Sequence, residues 1–166
     1  MIRLEEALQL LHRGGVDFIV IGGVAGIAHG SARLTNDLDI VYRRSPDNIE
    51  RLVATLSPLG PYLRGAPPGL PFRWDGATIR RGLNFTLTTS LGDLDVLGEI
   101  AGGGGYDALV PHTAALAAFG GEFRFLNLDK LIQVKRAAGR PKDLEAIAEL
   151  EAILEERKRL AGEQRS

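Results

Sequence analysis

The segment "VDFIVIGG", residues 16–23, places a β-branched apolar run directly before two glycines. A run of this kind, without polar residues at alternate positions, is typical of a strand that is buried on both faces. Before this segment, an amphipathic pattern over residues 2–13 predicts a helix that ends at Gly14 and Gly15. The chain is therefore expected to begin with a helix that leads into a central strand.

The alternation of helix and strand continues after these glycines. The segment "VAGIAHGS" predicts a short helix, "LDIVY" predicts a second strand, and residues 47–57 predict a helix that starts after Ser45 and Pro46. Two β-branched stretches joined by "LGD" predict a hairpin over residues 83–100, and "EFRFL" predicts one more strand. The expected fold class is α/β (α+β), with a mixed central sheet flanked by helices.

The C-terminal end is expected to be entirely helical. Two helical patterns predict an extension over residues 127–166 that packs on a core formed by residues 1–126, as a single compact unit that frays after Leu160. Residues 58–76 hold most of the prolines and predict a long loop, either a lid over a site or a surface excursion. The four glycines at 102–105 predict a flexible connection.

Composition excludes several classes of function. Lysine and arginine number 20 against 21 aspartates and glutamates in 166 residues, so no global field attracts nucleic acid or an anionic membrane. The absence of cysteine excludes disulfides, thiolate catalysis and Cys-ligated zinc. The longest apolar stretches are shorter than the roughly 20 residues that cross a bilayer, and the N-terminal residues do not resemble a signal peptide. We therefore expect a cytoplasmic protein with no membrane partner.

Two aspartates in the second strand point to metal chemistry. Asp37 and Asp39 lie two residues apart, so in a strand they project from the same face, while Leu38 and Ile40 project into the core. Two carboxylates this close repel each other unless a cation lies between them. Magnesium prefers oxygen ligands and accepts phosphate oxygens as the remainder. The pair therefore predicts half of a magnesium site.

The glycines before the short helix favour a phosphate ligand. Gly22 and Gly23 allow the backbone to pass close to a ligand, and the N–H groups that open the helix can point at an anion. A dinucleotide-binding fold is an alternative, but the glycines read G-G-x-x-G and not G-x-G-x-x-G. In addition, the acids begin their strand, whereas the ribose-binding acid of that fold ends it.

The longer segment "IGGVAGIAHGSARLTNDLDIV" resembles the signature of the nucleotidyltransferase superfamily with the DNA-polymerase-β-like fold. It is most similar to the small bacterial branch related to AbiEii-type toxins, whose signature often reads G-G-x-A-x-x-x-H-G-x-x-R-x-T-x-D-x-D. The matching residues are Gly22, Gly23, Ala25, His29, Gly30, Arg33, Thr35, Asp37 and Asp39.

The resemblance also implies a third carboxylate from a later strand. Asp93 and Asp95 in "LGDLDVLGEI" are both candidates. We favour Asp95, because it lies inside the strand between Leu94 and Val96, whereas Asp93 follows Gly92 and suits a turn.

The C-terminal segment "KRAAGRPKDLEAI" is similar to the K-x4-R motif of the same branch, which is closely followed by an aspartate. Lys135, Arg140, Lys142 and Asp143 stand in register with it. Lysine and arginine can neutralise a triphosphate, and arginine can bind it bidentately. The alternative is that these residues are ordinary charges at helix ends, with Pro141 opening the second helix.

The resemblance implies a metal-dependent nucleotidyltransferase that moves an NMP from an NTP to an RNA, protein or small-molecule acceptor. One or two Mg²⁺ ions would be held by the catalytic residues Asp37, Asp39 and Asp95. The residues implied for nucleotide and phosphate binding are Gly22, Gly23, Arg33, Thr35, Lys135, Arg140 and Asp143.

The biological setting has three interpretations. The first is a toxin of a toxin–antitoxin pair that acts on tRNA or protein, and the second is an antibiotic-modifying enzyme. The third is a non-catalytic or antitoxin-like module of the same fold, which binds a cognate partner protein through its exposed helices.

Several residues have two interpretations that the sequence leaves open. His29 either contacts the site rim or closes the short helix, and Arg33 either binds phosphate or holds the loop before Asp37. Trp74 either stacks on a base or packs in the core. A group of arginines either binds phosphates or is scattered in solvent, and its members are Arg64, Arg73, Arg80 and Arg81.

Overall fold

A mixed sheet of seven strands lies at the centre of the computed structural model, which describes residues 1–165. The strands are β1 (Phe18–Ile21), β2 (Asp37–Tyr42), β3 (Tyr62–Leu63), β4 (Phe85–Thr89), β5 (Gly92–Leu97), β6 (Glu99–Ile100), β7 (Gly104–Gly105), β8 (Thr113–Ala118) and β9 (Gly121–Leu126). The order across the sheet is β3-β4-β5-β2-β1-β9-β8, and β6 pairs with β7 in a separate ribbon.

The helices flank this sheet. They are α1 (Leu4–Arg13), α2 (Gly22–Ala28), α3 (Pro46–Leu56), α4 (Gly76–Arg81), α5 (Tyr106–Leu109), α6 (Leu128–Ala138) and α7 (Pro141–Arg165). In one group α3 contacts both α1 and α4, and in the other α6 contacts both α2 and α7. The predicted fold class, a mixed sheet flanked by helices with a helical C-terminal end, is confirmed. The boundary between residues 126 and 127 stays a prediction.

Strand β1 lies in the interior of the sheet, between β2 and β9, as its apolar sequence predicts. All four of its residues are buried, and β2 and β9 pair with its two edges. Leu38 and Ile40 of β2 have no exposed surface, and Asp37 and Asp39 alternate with them along the strand. The hydrophobic alternation of β2 therefore fixes the face on which both carboxylates project.

The pairing of β2 with β5 is parallel, and its register places the two acidic pairs side by side. Asp37 lies opposite Asp93, and Asp39 lies opposite Asp95. Because opposite residues of neighbouring strands project from the same face, four aspartates share one face of the sheet. The hairpin predicted over residues 83–100 is present as β4 and β5, and it brings Asp93 and Asp95 to this position.

Some parts of the chain differ from the sequence-based expectations. The segment predicted as a loop over residues 58–76 contains β3, which joins the sheet beside β4. The connection predicted to be flexible, residues 102–105, ends in β7, which pairs with β6. Helix α7 continues to Arg165, whereas fraying was expected after Leu160. Strand β8 was not predicted, because its alanine-rich sequence has low strand propensity.

Among the helices of residues 1–165, none combines the length and apolar character that crossing a membrane requires.

Asn48 provides a direct test of the packing between β1, β2 and α3. Its side chain is fully buried, where Oδ1 accepts from the Asp17 N–H at 2.7 Å and Nδ2 donates to the carbonyls of Asp17 and Arg43 at 3.0 and 2.8 Å. Asn48→Ala leaves these buried groups without partners, so we expect the free energy of unfolding to fall by about 2 kcal/mol. Urea denaturation measures the change, and Asn36→Ala, at an exposed asparagine, serves as the control. Equal midpoints for the two variants would contradict this account.

Candidate active site

The face shared by β2 and β5 carries a cluster of three carboxylates. Asp37, Asp39 and Asp95 each offer one oxygen to a group whose members all lie within 4.8 Å of one another. Asp95 rather than Asp93 completes this group, in agreement with the preference for the residue inside the strand. Oxygens this close suit a hard divalent cation, which needs several oxygen ligands.

Burial acts strongly on the carboxyl of Asp39. The pKa of its carboxyl is raised to about 8, mainly because burial disfavours the charged form. The charge of Asp37 and a hydrogen bond with Asp95 raise the pKa further, while the ammonium of Lys135 lowers it.

An unpartnered atom at Asp39 fits a metal ion. Its Oδ1 is buried, and no hydrogen-bond donor of residues 1–165 reaches it. A buried carboxylate oxygen without a partner is costly, and a divalent cation would satisfy it. The donor set and this atom therefore fit Mg²⁺.

The two glycines at the start of α2 allow the backbone to approach the carboxylates. Gly22 has φ +66°, and a Cβ at this position would lie 2.1 Å from Oδ2 of Asp39. A Cβ on Gly23 would lie 2.9 Å from Oγ1 of Thr35. Both glycines are therefore required for the close contact between α2 and the acidic face.

The segment between α2 and β2 is held by the carboxylate cluster on one side and by α7 on the other. Thr35 Oγ1 donates a hydrogen bond to Oδ1 of Asp37 at 3.2 Å. Arg33 is exposed, and its guanidinium lies 3.5 Å from Oε2 of Glu145 on α7. Glu149, also on α7, accepts from the Ser31 hydroxyl and, at 3.1 Å, from the Ala32 N–H. Arg33 thus contacts α7 only through a long, exposed ion pair, and its guanidinium is open to solvent.

Lys135 on α6 and Arg140, just before α7, bring positive charge to the same site. Lys135 is partly buried, and this burial lowers the pKa of its ammonium, although the carboxylates of Asp143 and Asp39 oppose the shift. Arg140 donates from Nε to Oδ2 of Asp143 at 2.6 Å. Burial alone would raise the pKa of the Asp143 carboxyl, but the hydrogen bonds and charge of Arg140 hold it below its ordinary value. Asp143 thereby fixes the position of Arg140 at the start of α7.

A single cavity of about 460 Å³ is lined by all ten residues that the resemblance implies for catalysis and for nucleotide or phosphate binding. They are Gly22, Gly23, Arg33, Thr35, Asp37, Asp39, Asp95, Lys135, Arg140 and Asp143. Lys142 also lines the cavity. We call the carboxylates of Asp37, Asp39 and Asp95 the acidic wall of this cavity, and the cations of Lys135 and Arg140 its basic wall. The two groups together suit a metal-bound anion. The catalytic and binding roles of these residues stay predictions.

His29 and Trp74 are both explained by packing. The Nε2 of the buried His29 lies 2.7 Å from the carbonyl of Leu126, and Arg157 donates to Nδ1 at 3.2 Å and to the His29 carbonyl at 3.0 Å. Burial lowers the pKa of this imidazole. The Trp74 Nε1–H donates to the Val53 carbonyl at 3.1 Å, and its ring meets Phe85 edge-to-face. Neither side chain lines the cavity.

Arg64 belongs to the acidic cluster, which the sequence did not reveal. It follows β3 in the proline-rich segment, and its guanidinium forms ion pairs with three aspartates of the cluster face. The sequence offered no local signal for this contact, because Arg64 resembled the three other arginines of its neighbourhood and its strand is only two residues long.

Comparison with known proteins supports the fold. No protein-family model matches the sequence, and no curated protein does so either. A solved structure from Thermotoga maritima, described as a candidate nucleotidyltransferase, is similar at 16% identity with a TM-score of 0.55, over 90% of this chain and 94% of that one. The chain has the nucleotidyltransferase fold.

Two structures of the antibiotic-resistance factor ANT(2'')-Ia are also similar to this nucleotidyltransferase fold. The solution structure has 16% identity and a TM-score of 0.53, and covers 98% of this chain and 93% of that one. The crystal structure with adenylyl-2''-tobramycin has 15% identity and a TM-score of 0.52, and the match covers 92% of this chain and 94% of that one. At these identities the likeness concerns the fold, and the resemblance to the AbiEii-related branch stays a prediction.

The raised pKa of Asp39 predicts how stability depends on pH in metal-free solution. The ordinary pKa of the group is 3.8 and its folded value is about 8, so between these values the folded chain binds a proton that the unfolded chain has lost. Stability should therefore fall as pH rises through this window, by at most about 1.4 kcal/mol per pH unit from this group. Asp39→Asn should remove that contribution.

Urea denaturation in EDTA at pH 5, 6, 7 and 8 measures this slope. The control is Asp107→Asn, whose side chain is 87% exposed and should leave the slope as in the wild type. If Asp39→Asn and the wild type show the same dependence, the Asp39 carboxyl is not the group that binds the proton.

Proposed function

We propose that the protein is a metal-dependent nucleotidyltransferase, which moves an NMP from an NTP to an acceptor and releases pyrophosphate. The observation that carries this proposal is the cavity whose acidic wall holds Asp37, Asp39 and Asp95 and whose basic wall holds Lys135 and Arg140. A metal–triphosphate complex has the charge pattern that both walls complement. The shared fold supports the same assignment.

Asp37 and Asp39 would hold Mg²⁺, with Asp95 as the third carboxylate. The bound ion would supply charge neutralisation of the phosphates and activation of the attacking group. The unpartnered Oδ1 of Asp39 supports this assignment. Thr35 would hold the Asp37 carboxylate in its orientation through the hydrogen bond at Oδ1.

The basic wall would bind the triphosphate. Lys135 would contact the phosphates as a point charge, and Arg140, already oriented by Asp143, would bind them through its remaining N–H groups. Arg33 would turn from Glu145 toward the nucleotide, since its side chain is solvent-exposed and that ion pair is long. Negative charge that develops on the leaving pyrophosphate would be stabilised by these cations.

The transfer step follows from these positions. The acceptor oxygen forms a bond to the α-phosphorus while the bond from this phosphorus to the bridging oxygen breaks, and pyrophosphate leaves with that electron pair. Asp95 lies in the cluster and would accept the proton of the attacking hydroxyl. Asn84, Thr86 and Glu99 line the same cavity and would lie beside the acceptor.

The acceptor class in this proposal is RNA, protein or a small molecule. The resemblance to AbiEii-related proteins favours a toxin of a toxin–antitoxin pair, with a cognate antitoxin as partner. The similar fold of ANT(2'')-Ia, solved with adenylyl-2''-tobramycin, supports including a hydroxyl-bearing small molecule in the search. A cytoplasmic location, where NTP and Mg²⁺ are available, is part of the same proposal.

The first test measures transfer from NTPs labelled on the α-phosphate to total RNA, cell lysate and aminoglycosides. We expect Mg²⁺-dependent labelling of one acceptor class, and a loss on the order of 10²–10³-fold in Asp37→Asn, the effect typical of removing one charge-stabilising group. Asp47→Asn, at an exposed aspartate outside the cavity, should label as the wild type does. Full activity of Asp37→Asn would exclude the metal role. Absence of labelling, together with neutralisation of a neighbouring protein, would favour the non-catalytic antitoxin-like module.

The basic wall makes a separate prediction. Lys135→Gln removes the partly buried cation of the cavity, so we expect the KM for NTP to rise about ten- to a hundredfold, since a bond to a charged group contributes about 1.5–3 kcal/mol. Lys130→Gln is the matched control, because Lys130 lies on the same helix and does not line the cavity. Initial rates measured against NTP concentration give the KM of each variant. Equal KM values for Lys135→Gln and Lys130→Gln would contradict the role of Lys135.

A further inference from the structure

Arg64 places a permanent positive charge among the carboxylates. Its Nη2 lies 2.7 Å from Oδ1 of Asp95, its Nε lies 3.3 Å from Oδ2 of Asp93, and its Nη1 lies 3.9 Å from Oδ2 of Asp37. Nη2 also donates to the carbonyl of Leu87 at 2.7 Å. One guanidinium thus contacts three aspartates and the backbone of the neighbouring strand β4.

The sheet itself positions Arg64. Strand β3 pairs with β4 through Tyr62 opposite Thr88 and Leu63 opposite Leu87. The Arg64 N–H continues this pairing with a hydrogen bond to the Thr86 carbonyl at 3.0 Å. The side chain is 27% exposed, far less than that of a solvated arginine. Because both backbone and side chain are bonded, the guanidinium has little freedom to leave the cluster.

Arg64 divides the acidic face into two sides. On the β5 side, Asp95 accepts a hydrogen bond from Nη2 of Arg64, and Asp93 has Nε of the same guanidinium at ion-pair distance, although this buried Nε makes no hydrogen bond among the described residues. On the β2 side, Oδ1 of Asp39 is buried and lacks a hydrogen-bond donor among the described residues. The contact to Asp37 is the longest of the three, so this carboxylate is the least engaged by the guanidinium.

We infer that Arg64 is the resident cation of the Asp93–Asp95 side, and that the site consequently binds one divalent ion, on the Asp37–Asp39 side, instead of two. A second ion beside Asp95 would lie next to the positive guanidinium and compete with it for the same oxygen. This inference rests on the metal site of the proposed function and specifies how many ions it takes. It also makes Arg64 a positioning residue for Asp95.

Manganese binding tests this inference without any turnover. Electron paramagnetic resonance counts Mn²⁺ bound per chain in nucleotide-free protein at increasing Mn²⁺ concentration. We expect one ion in the wild type and two in Arg64→Gln, which frees the Asp93–Asp95 side. Arg64→Lys, which keeps one positive charge at this position, should bind one. The matched control, Arg73→Gln, changes an exposed arginine of the same segment and should also bind one.

Any other pair of counts for the wild type and Arg64→Gln overturns the inference. Two ions bound to the wild type would overturn the inference by themselves. The inference therefore stays testable even if Arg64→Gln does not fold. Thermal unfolding gives an independent measurement. In EDTA, Arg64→Gln should melt below the wild type because the aspartates repel, and Mn²⁺ should raise its melting temperature more than that of the wild type. Equal increases in both proteins would contradict the inference.

The experiments distinguish an error in the number of bound ions from an error in the proposed function. If the chain transfers no nucleotide, the Mn²⁺ counts are unaffected and still report on Arg64. If the counts contradict the role of Arg64, labelled-NTP transfer that depends on Asp37 remains as evidence for the enzyme.

Discussion

The parallel register between β2 and β5 is the constraint on which the site depends. It sets Asp37 opposite Asp93 and Asp39 opposite Asp95, so that four carboxylates share one face at the distances of neighbouring strands. If either strand shifted by one residue, its acidic pair would move to the other face of the sheet. The buried residues that alternate with the aspartates oppose such a shift, because Leu38 and Leu94 would then leave the core. Hydrophobic packing therefore holds the charges together.

The remaining elements compensate the repulsion that this register creates. Asp39 responds with a pKa raised to about 8 by burial and by its acidic neighbours. Arg64 neutralises the β5 side, and Lys135 approaches from α6. The position of Arg140, just before α7, is in turn fixed by Asp143. The cations offset the repulsion between the carboxylates least completely at Asp39. A divalent cation and a triphosphate would bind there.

Much of this arrangement could be predicted from the sequence, because its signals are local. The apolar run of β1, the alternation of β2 and the hairpin of β4 and β5 are periodic patterns, and they give the face of each aspartate directly. The contact of Arg64 could not be predicted, since it depends on the pairing of a two-residue strand with β4. The two interpretations of His29 likewise required the partners that tertiary packing brings, namely the Leu126 carbonyl and Arg157.

In the proposed site, Asp37 and Asp39 hold a metal ion against a triphosphate bound by the basic wall. Anomalous diffraction from crystals that contain Mn²⁺ and a non-hydrolysable NTP analogue tests it most directly. We expect an anomalous peak at coordination distance from Asp37 and Asp39, with the triphosphate between that peak and Lys135. An analogue bound with no peak at these carboxylates, or a triphosphate outside this cavity, would contradict the account.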